Sequence, residues 1–325
     1  MNGILITNAY LRSPKFDTIR DMLAAAFARR GVPLSLFTNE ELSVVTPDAL
    51  RSPTNSPDTL RPTDEIPLRG GVTRSGGPVK RPSVLPDADF VLFWDKDILL
   101  ARHLENLGYP VYNSSRAIEV CDNKALTAIT LENADIPLPK TLLAPFSYAG
   151  IGYGDGGGDT FLKKAADLLS FPMIVKENFG SFGQQVYLVN DFSELKARAA
   201  TLPVGGYLLQ QFISSSYGRD VRIQIVGGKV AASVLRKAKG GSFLANATQG
   251  GEMLPFNPPT EFCNVALKAC QAVGTAFGGV DLLFGKNDEP ILCEINSNAH
   301  FKRLYEVTGV NTAEKIAEYI IEVEN

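Results

Sequence analysis

The sequence predicts an α/β protein in which a small N-terminal parallel sheet precedes α+β lobes built from antiparallel hairpins. Three observations carry this. Strand-like and helix-like segments alternate up to about residue 113. From Ser114 onward the strands come in pairs joined by glycine-containing turns. With 325 residues, the chain is long enough for two or three domains, each with its own core.

Gly3 to Thr7 is an apolar run suited to a buried first strand. Phe16 to Arg30 has helical character and is closed by Gly31, a residue suited to a left-handed C-cap. Pro33 to Phe37 and Asp89 to Trp94 are further strands, Ile98 to Leu107 is a helix closed by Gly108, and Pro110 to Tyr112 is a short strand. Thr46 to Pro86, rich in Pro, Ser, Arg and Gly, interrupts this series as a mobile insertion or a short β-excursion, because structureless loops of that length are unusual inside a compact domain.

Ser114-Ser115 caps a helix through Cys121, and a second helix carrying Lys124 runs to about Asn133. Thr141 to Ala144, Phe171 to Glu177, Gln185 to Asn190 and Tyr207 to Ile213 are strands, with a helix from Phe192 to about Ala200. Asp220 to Val226 and Lys229 to Leu235 form an antiparallel pair turned at Gly227-Gly228. A helix from Thr260 to about Phe277, strands Gly279 to Gly285 and Pro290 to Asn296, and a helix from Thr312 to Val323 complete the chain. Gly150 to Gly158 contains GxGxxG, but it lies mid-chain among further glycines and not at a first strand-to-helix turn. It reads as a flexible connector.

Composition excludes several classes. Hydrophobic content of 45%, charged content of 21% and net charge −3 lack the basic footprint of a nucleic-acid binder. No apolar run approaches membrane-spanning length, and Met1 to Thr7 lacks the basic and long apolar regions of a signal peptide. The four scattered cysteines form no CxxC pair, so reduced thiols in a cytoplasm are expected, with Cys263 and Cys270 sharing a buried helix face.

The chemistry concentrates near the C-terminus. A hairpin folded about Asn287-Asp288 sets Asp281 opposite Glu294, with Asn296 on the same face as Glu294. Two carboxylates and an amide oxygen on an otherwise apolar hairpin suit Mg²⁺ shared with nucleotide phosphates; the alternative is a solvated polar face. The loop Gly180-Ser181-Phe182-Gly183 follows a strand bearing Lys176, and glycines let backbone N–H groups approach an anion. It lacks the GK[ST] ending of a Walker A loop, and a plain hairpin turn is the competing reading. Arg222, Arg236 and Lys237 sit on apolar strands, where charge is costly unless paired or bound to ligand; for Arg222 the bland reading is a salt bridge to Asp220. Asn246 lies in a polar loop and is uninformative alone. With only two histidines, His103 and His300, a nucleophilic triad and a zinc site are poorly supported. His300, close to the carboxylates, is the better candidate for substrate contact.

Taken in order, these pieces resemble the ATP-grasp superfamily, and within it the RimK-type carboxylate–amine ligases. The resemblance runs from about Ser114 to the C-terminus. It is carried by Asp122-Asn123-Lys124, Val175-Lys176, the Gly180 to Gly183 loop, Leu209-Gln210-Gln211-Phe212-Ile213 and Gly218-Arg219-Asp220-Val221-Arg222. Arg236 to Lys239, Asn246, Gly279-Val280-Asp281-Leu282-Leu283 and Glu294-Ile295-Asn296-Ser297 complete it. It implies an ATP-grasp fold with an N-terminal α/β domain over 1–113, a central lobe over 114–206 and a C-terminal lobe with a metal site over 207–325. Lys124, Lys176, Gly180, Ser181 and Gly183 would hold ATP phosphates. Gln210, Gln211, Phe212 and Ile213 would hold adenine, and Asp220 would also belong to the nucleotide site. Arg222, Arg236 and Asn246 would act catalytically at the γ-phosphate and the substrate carboxylate. Asp281, Glu294 and Asn296 would bind two Mg²⁺ ions, with Mn²⁺ as an alternative. The implied reaction joins a carboxylate to an amine of an amino acid or peptide through an acyl phosphate. Homo-oligomers are common in the family.

The chain departs from the family pattern at three places. Gln211 stands where Glu is usual, Leu244 where Arg is frequent, and Ser297-Asn298-Ala299-His300-Phe301-Lys302-Arg303 replaces a Ser-Pro-Gly-like turn. The last change argues against simply transferring glutamate as the substrate, and it makes His300 and Lys302 candidates for selecting the acceptor. A non-catalytic nucleotide-binding module and a phosphotransferase on the same fold are the alternative readings.

Overall fold

The computed structural model describes residues 1–42, 87–146, 159–180, 183–202, 206–245 and 251–325. The insertion expected over 46–86, the glycine run 150–158, Ser181 and Asn246 lie outside the described residues.

Strands β1 (Gly3–Thr7), β2 (Leu34–Thr38), β3 (Phe90–Trp94) and β4 (Val111–Tyr112) form a parallel sheet in the order β2-β1-β3-β4. Because β1 and β3 are covered on both faces, alternate side chains enter different cores. Leu5, Phe90 and Leu92 pack with Leu23 and Phe27 of α1 (Pro14–Ala28). Ile4, Ile6, Val91 and Phe93 pack with Leu100 and Leu104 of α2 (Ile98–Asn106). Helix α1 starts two residues earlier than Phe16, because Pro14 opens its first turn, where a missing N–H costs nothing.

Helices α3 (Ser115–Asp122) and α4 (Lys124–Leu131) follow, capped by Ser114 Oγ and Asn123 Oδ1. A second sheet has the order β5-β8-β6-β7, from β5 (Thr141–Leu143), β6 (Met173–Glu177), β7 (Val186–Val189) and β8 (Tyr207–Gln211). Its Met173, Val175 and Leu209 pack with α5 (Asp159–Leu169) and α6 (Phe192–Ala199). Ile174, Lys176 and Gln210 therefore take the opposite face. Helix α5 is not anticipated above, although Leu162, Ala165 and Leu169 are buried at helical spacing.

The third sheet is antiparallel, in the order β11-β10-β9-β12-β13. Its strands are β9 (Arg219–Val226), β10 (Lys229–Lys237), β11 (Glu252–Pro255), β12 (Phe277–Phe284) and β13 (Pro290–Asn296). Val221, Ile223, Val280 and Leu282 pack against α3, α4 and α7 (Thr260–Val273), so Asp220, Arg222 and Asp281 alternate onto the other face. Helix α7 ends at Val273, capped by Gly274 at φ 81°, and Phe277 opens β12 instead of closing the helix. Strand β11 and α8 (Lys302–Thr308) are further elements not anticipated from the sequence, whereas α9 (Thr312–Glu324) is. All four cysteines are free; Cys270 is buried but Cys263 is only partly so, and the shared buried face expected of them holds one thiol.

The first and third sheets share a core. Phe277, Val226, Ile316 and Ile320 join Leu5 and Phe90 in one apolar cluster, and Trp94 stacks on Phe277 with ring centroids 5.5 Å apart. The fully buried Asn113 side chain accepts from Ala276 N (2.7 Å) and Phe277 N (3.2 Å) and donates to Phe277 O (2.9 Å) and Ser297 O (3.0 Å). Its whole hydrogen-bonding capacity is thus spent on the link between sheets. Arg29 and Arg30, just past α1, both bond Glu314 on α9. The second sheet keeps a separate core. Among the described residues no helix is long and apolar enough to cross a membrane.

Candidate active site

The open faces of the second and third sheets enclose a cleft with a cavity volume of about 110 Å³. From the second sheet come Lys176 and Gln210, with Gln211, Phe212 and Ile213 at the end of β8. Lys176 is 7% exposed, and its Nζ lies 3.9 Å from Cys293 Sγ. Gln210 Nε2 donates to Thr141 Oγ1 at 3.0 Å, and the Gln211 backbone N donates to Lys140 O at 2.8 Å. Phe212 makes edge contacts with Tyr217 and Phe243. Lys124 opens α4 and reaches over the glycine loop, donating to Gly180 O at 3.2 Å. Burial lowers its pKa, and Glu294 across the cleft opposes that shift. Gly183, at φ 74°, takes a conformation that disfavours other residues, while a Cβ on Gly180 would lie 2.5 Å from Gln185 Oε1.

The third sheet supplies the charge. Arg222 pairs across strands with Asp281, and Arg236 with Asp220. Arg222 grips Asp281 through Nε and Nη2, both at 2.6 Å. Arg236 holds Asp220 at 2.5 and 2.8 Å and also reaches Asp281 at 2.8 Å. The salt bridge expected between Arg222 and Asp220 is therefore replaced by cross-strand pairs, because residues opposite one another approach more closely than residues two apart on one strand. Burial alone would raise the Asp281 carboxyl, but Arg222 and Arg236 bring it down to about 2. Burial wins at Asp220 and raises its pKa.

The hairpin carries Glu294 and Asn296 to the same place. Phe284 pairs with Pro290 and Leu282 with Leu292, so the turn centres on Asn287 and not between Asn287 and Asp288. A bulge at Cys293 adds the residue that restores the expected Asp281–Glu294 pair. Cys293 and Glu294 then line the cleft in succession, and burial pushes the Cys293 thiol up to about 11. Asn296 Nδ2 donates to Glu294 Oε1 at 3.0 Å. Among the described residues, no three His, Cys, Asp or Glu side chains cluster as a self-sufficient metal cage.

Arg222, Arg236, Glu294 and Asn296 also form one wall of a larger chamber of about 750 Å³. It opens at the C-terminal ends of β1 and β3, the edge where open parallel sheets bind ligands. Asp95, after β3, accepts from Asn8 Nδ2 at 3.0 Å, and its carbonyl accepts from Asn298 Nδ2 at 2.7 Å. His300 and Lys302 line this chamber and not the cleft. His300 packs edge-on against Phe16 with centroids 4.7 Å apart. Burial, with Lys15 and Arg222 adding to it, lowers its pKa to about 4. Lys302 is exposed and bonds Glu306 at 2.7 Å. The sequence reading missed Cys293, hidden by the bulge, and Arg12 and Lys15, which lie in the chamber far from any motif.

The model of the RimK-like ATP-grasp domain matches residues 121–320. The chain belongs to this family. RimK-like relatives include the beta-citrylglutamate synthase B of Mus musculus, 33% identical over 228 residues, which cover 69% of this chain and 56% of that protein. A probable alpha-L-glutamate ligase of Legionella pneumophila (strain Corby) is 32% identical over 67% of this chain and 69% of its own length. The chain thus spans little more than half of the mouse relative. Over 98% of the chain and 99% of the other protein, the fold is similar to a RimK domain ATP-grasp protein from Sphaerobacter thermophilus DSM 20745, with TM-score 0.67 and 20% identity.

Proposed function

We propose that the protein is an ATP-dependent carboxylate–amine ligase that activates a carboxylate as an acyl phosphate and passes it to an amine of an amino acid or peptide. The observation that carries this reading is a convergence. Lys124 and Lys176 on one side of the cleft face Glu294 and Asn296 on the other, and Arg222 and Arg236 open into an adjoining chamber. Cations for phosphates, oxygen donors for a hard ion and guanidiniums for a carboxylate thus meet at one wall.

In this reading adenine lies at Gln210 to Ile213, and Lys124, Lys176 and the Gly180–Gly183 loop hold the phosphates; Ser181 and Asn246 belong to the same proposal. Arg222 and Arg236 offset the repulsion between two anions and align them, the main task when a carboxylate attacks ATP. Their carboxylate partners keep both guanidiniums oriented before substrate arrives. Asp220 anchors Arg236 beside the nucleotide. Glu294 and Asn296 offer adjacent carboxylate and amide oxygens, a donor pair that fits Mg²⁺ or Mn²⁺. Asp281 would join them by releasing a guanidinium, completing a site for two ions. Such ions neutralise phosphate charge and polarise the transferred group.

An ADP-release screen over amino acids and short peptides with Mg²⁺, followed by mass spectrometry for new amide bonds, tests the reading. A new amide with ADP and phosphate is expected. A stable phosphorylated product would make the protein a phosphotransferase, and nucleotide binding without turnover across the screen would make it a binding module.

A further inference from the structure

An amine at neutral pH is an ammonium ion, and its lone pair cannot attack a carbonyl carbon until a proton has left. The groups given roles above do not take that proton. Arg222 and Arg236 carry donors only, Lys124 and Lys176 face phosphates, and Asp281, Glu294 and Asn296 face metal ions. Besides Glu294, three carboxylates line the chamber among the described residues: Asp17, Asp95 and Glu306. Asp17 is paired with Arg20 and Glu306 with Lys302. Asp95 is different, because it is only 5% exposed and its side chain is held by hydrogen bonds from neutral groups.

Those bonds fix which oxygen a ligand meets. Asn8, just past β1, accepts from Tyr10 N (2.9 Å) and Leu11 N (3.2 Å) through Oδ1, which settles the orientation of its amide. Its Nδ2 therefore faces Asp95, at 3.0 Å from Oδ1 and 3.2 Å from Oδ2. Lys96 N also donates to Oδ1, at 2.7 Å. Oδ1 is thus doubly engaged, whereas Oδ2 keeps lone-pair capacity for a further donor. Asp95 O accepts from Asn298 Nδ2 at 2.7 Å, which ties the residue to the stretch two positions past Asn296.

The surroundings suit a base. Burial raises the Asp95 pKa from its ordinary value, and Asp97, the cap of α2, adds to the rise. Lys96, bonded to Asp122 at the end of α3, works against it. The loop after β1 and the stretch after β13 meet Asp95 through Asn8 and Asn298, both uncharged.

We propose that Asp95 is the general base of the second half-reaction, its Oδ2 taking a proton from the ammonium group of the acceptor. The inference rests on the ligase reading and adds to it the residue that activates the amine. The nitrogen lone pair then forms the C–N bond. The C–O bond to phosphate breaks, and phosphate leaves with the bonding pair and the second nitrogen proton. Asp95 returns its own proton to solvent through the chamber.

The test adds hydroxylamine, an amine uncharged at neutral pH, to the full chain with ATP, Mg²⁺ and the amino acids and short peptides of the screen. Mass spectrometry follows amides and hydroxamates in the same reactions. At pH 7, Asp95→Asn is expected to cut amide formation about a hundredfold or more. Hydroxamate formation should stay within about threefold of wild type, which also shows that the variant folds and still activates the carboxylate. Amide formation by the variant should recover as pH rises toward the range where the acceptor is itself a free amine. Equal losses of both products, or an amide rate left unchanged, overturn the base and leave the ligase reading standing. A wild-type chain that releases no ADP and forms no hydroxamate overturns the ligase reading and the base with it.

Discussion

The cleft and the chamber share Arg236, Glu294 and Asn296, yet they are made of different material. The cleft is walled by two sheet faces, where strand alternation fixes the direction of each side chain and Ile174 and Leu283 surround the polar groups. The chamber is walled by strand ends, a helix start and the stretch Asn298 to Arg303, and half of its lining residues are charged. Sheet faces repeat their geometry wherever the fold recurs, whereas loop ends are free to vary. The departures from the family pattern fall in both: Gln211 and Leu244 line the cleft, and His300 and Lys302 line the chamber.

The strongest way to break that comparison is at the shared wall. Glu294→Gln should lower ADP release about a thousandfold while leaving the melting temperature unchanged, because it removes charge at the phosphates without emptying a core. Asp281→Asn, directly opposite, should behave differently. It strands Arg222 and Arg236, and urea unfolding should show a loss of about 3–5 kcal/mol. Equal stability in the two variants would mean that Asp281 is not the anchor of the wall.

A smaller effect separates the chamber from the cleft by pH. His300 titrates near 4 in the folded protein against 6.5 as a free side chain. The unfolded chain therefore takes up the proton first, and stability should fall as pH drops from 6.5 to 4, by about 3 kcal/mol. His300→Gln should remove that part of the acid sensitivity in urea titrations and leave stability at pH 7 nearly unchanged by this route. The smallest effect is expected at Gln211→Glu, a change confined to the cleft: ATP affinity, measured by calorimetry, should move about threefold.

Much of the third sheet was legible because period-two alternation is strict. Spacing alone placed Arg222 on the face of Asp220, and Asp281 on the face of Glu294 and Asn296; the pairing of β9 with β12 is what unites the two groups. The Asp281–Glu294 pair was correct for a partly wrong reason, since a half-residue error in the turn is cancelled by a bulge that no local pattern announces. Phe277 was read as helix because only Gly274, Thr275 and Ala276 separate α7 from β12, and the left-handed Gly274 marks the boundary. Helix α5 was overlooked beside the glycine run, although its spacing is regular. The chamber escaped for another reason. Its groups come from residues 7–20, 38, 94–96, 222, 236, 253 and 294–306, and the shared core beneath Phe277 and Asn113 helps bring those stretches together.

That two cavities open onto one partition has a pharmacological consequence. A single compound could straddle Arg236, Glu294 and Asn296, with a nucleotide-like end on one side and a carboxylate on the other. Tethering turns the second attachment into an intramolecular event, so such a bisubstrate inhibitor would bind far more tightly than either half. Its selectivity over other members of the family would draw on Gln211 and Leu244 at one end and on the Asn298 to Arg303 stretch at the other.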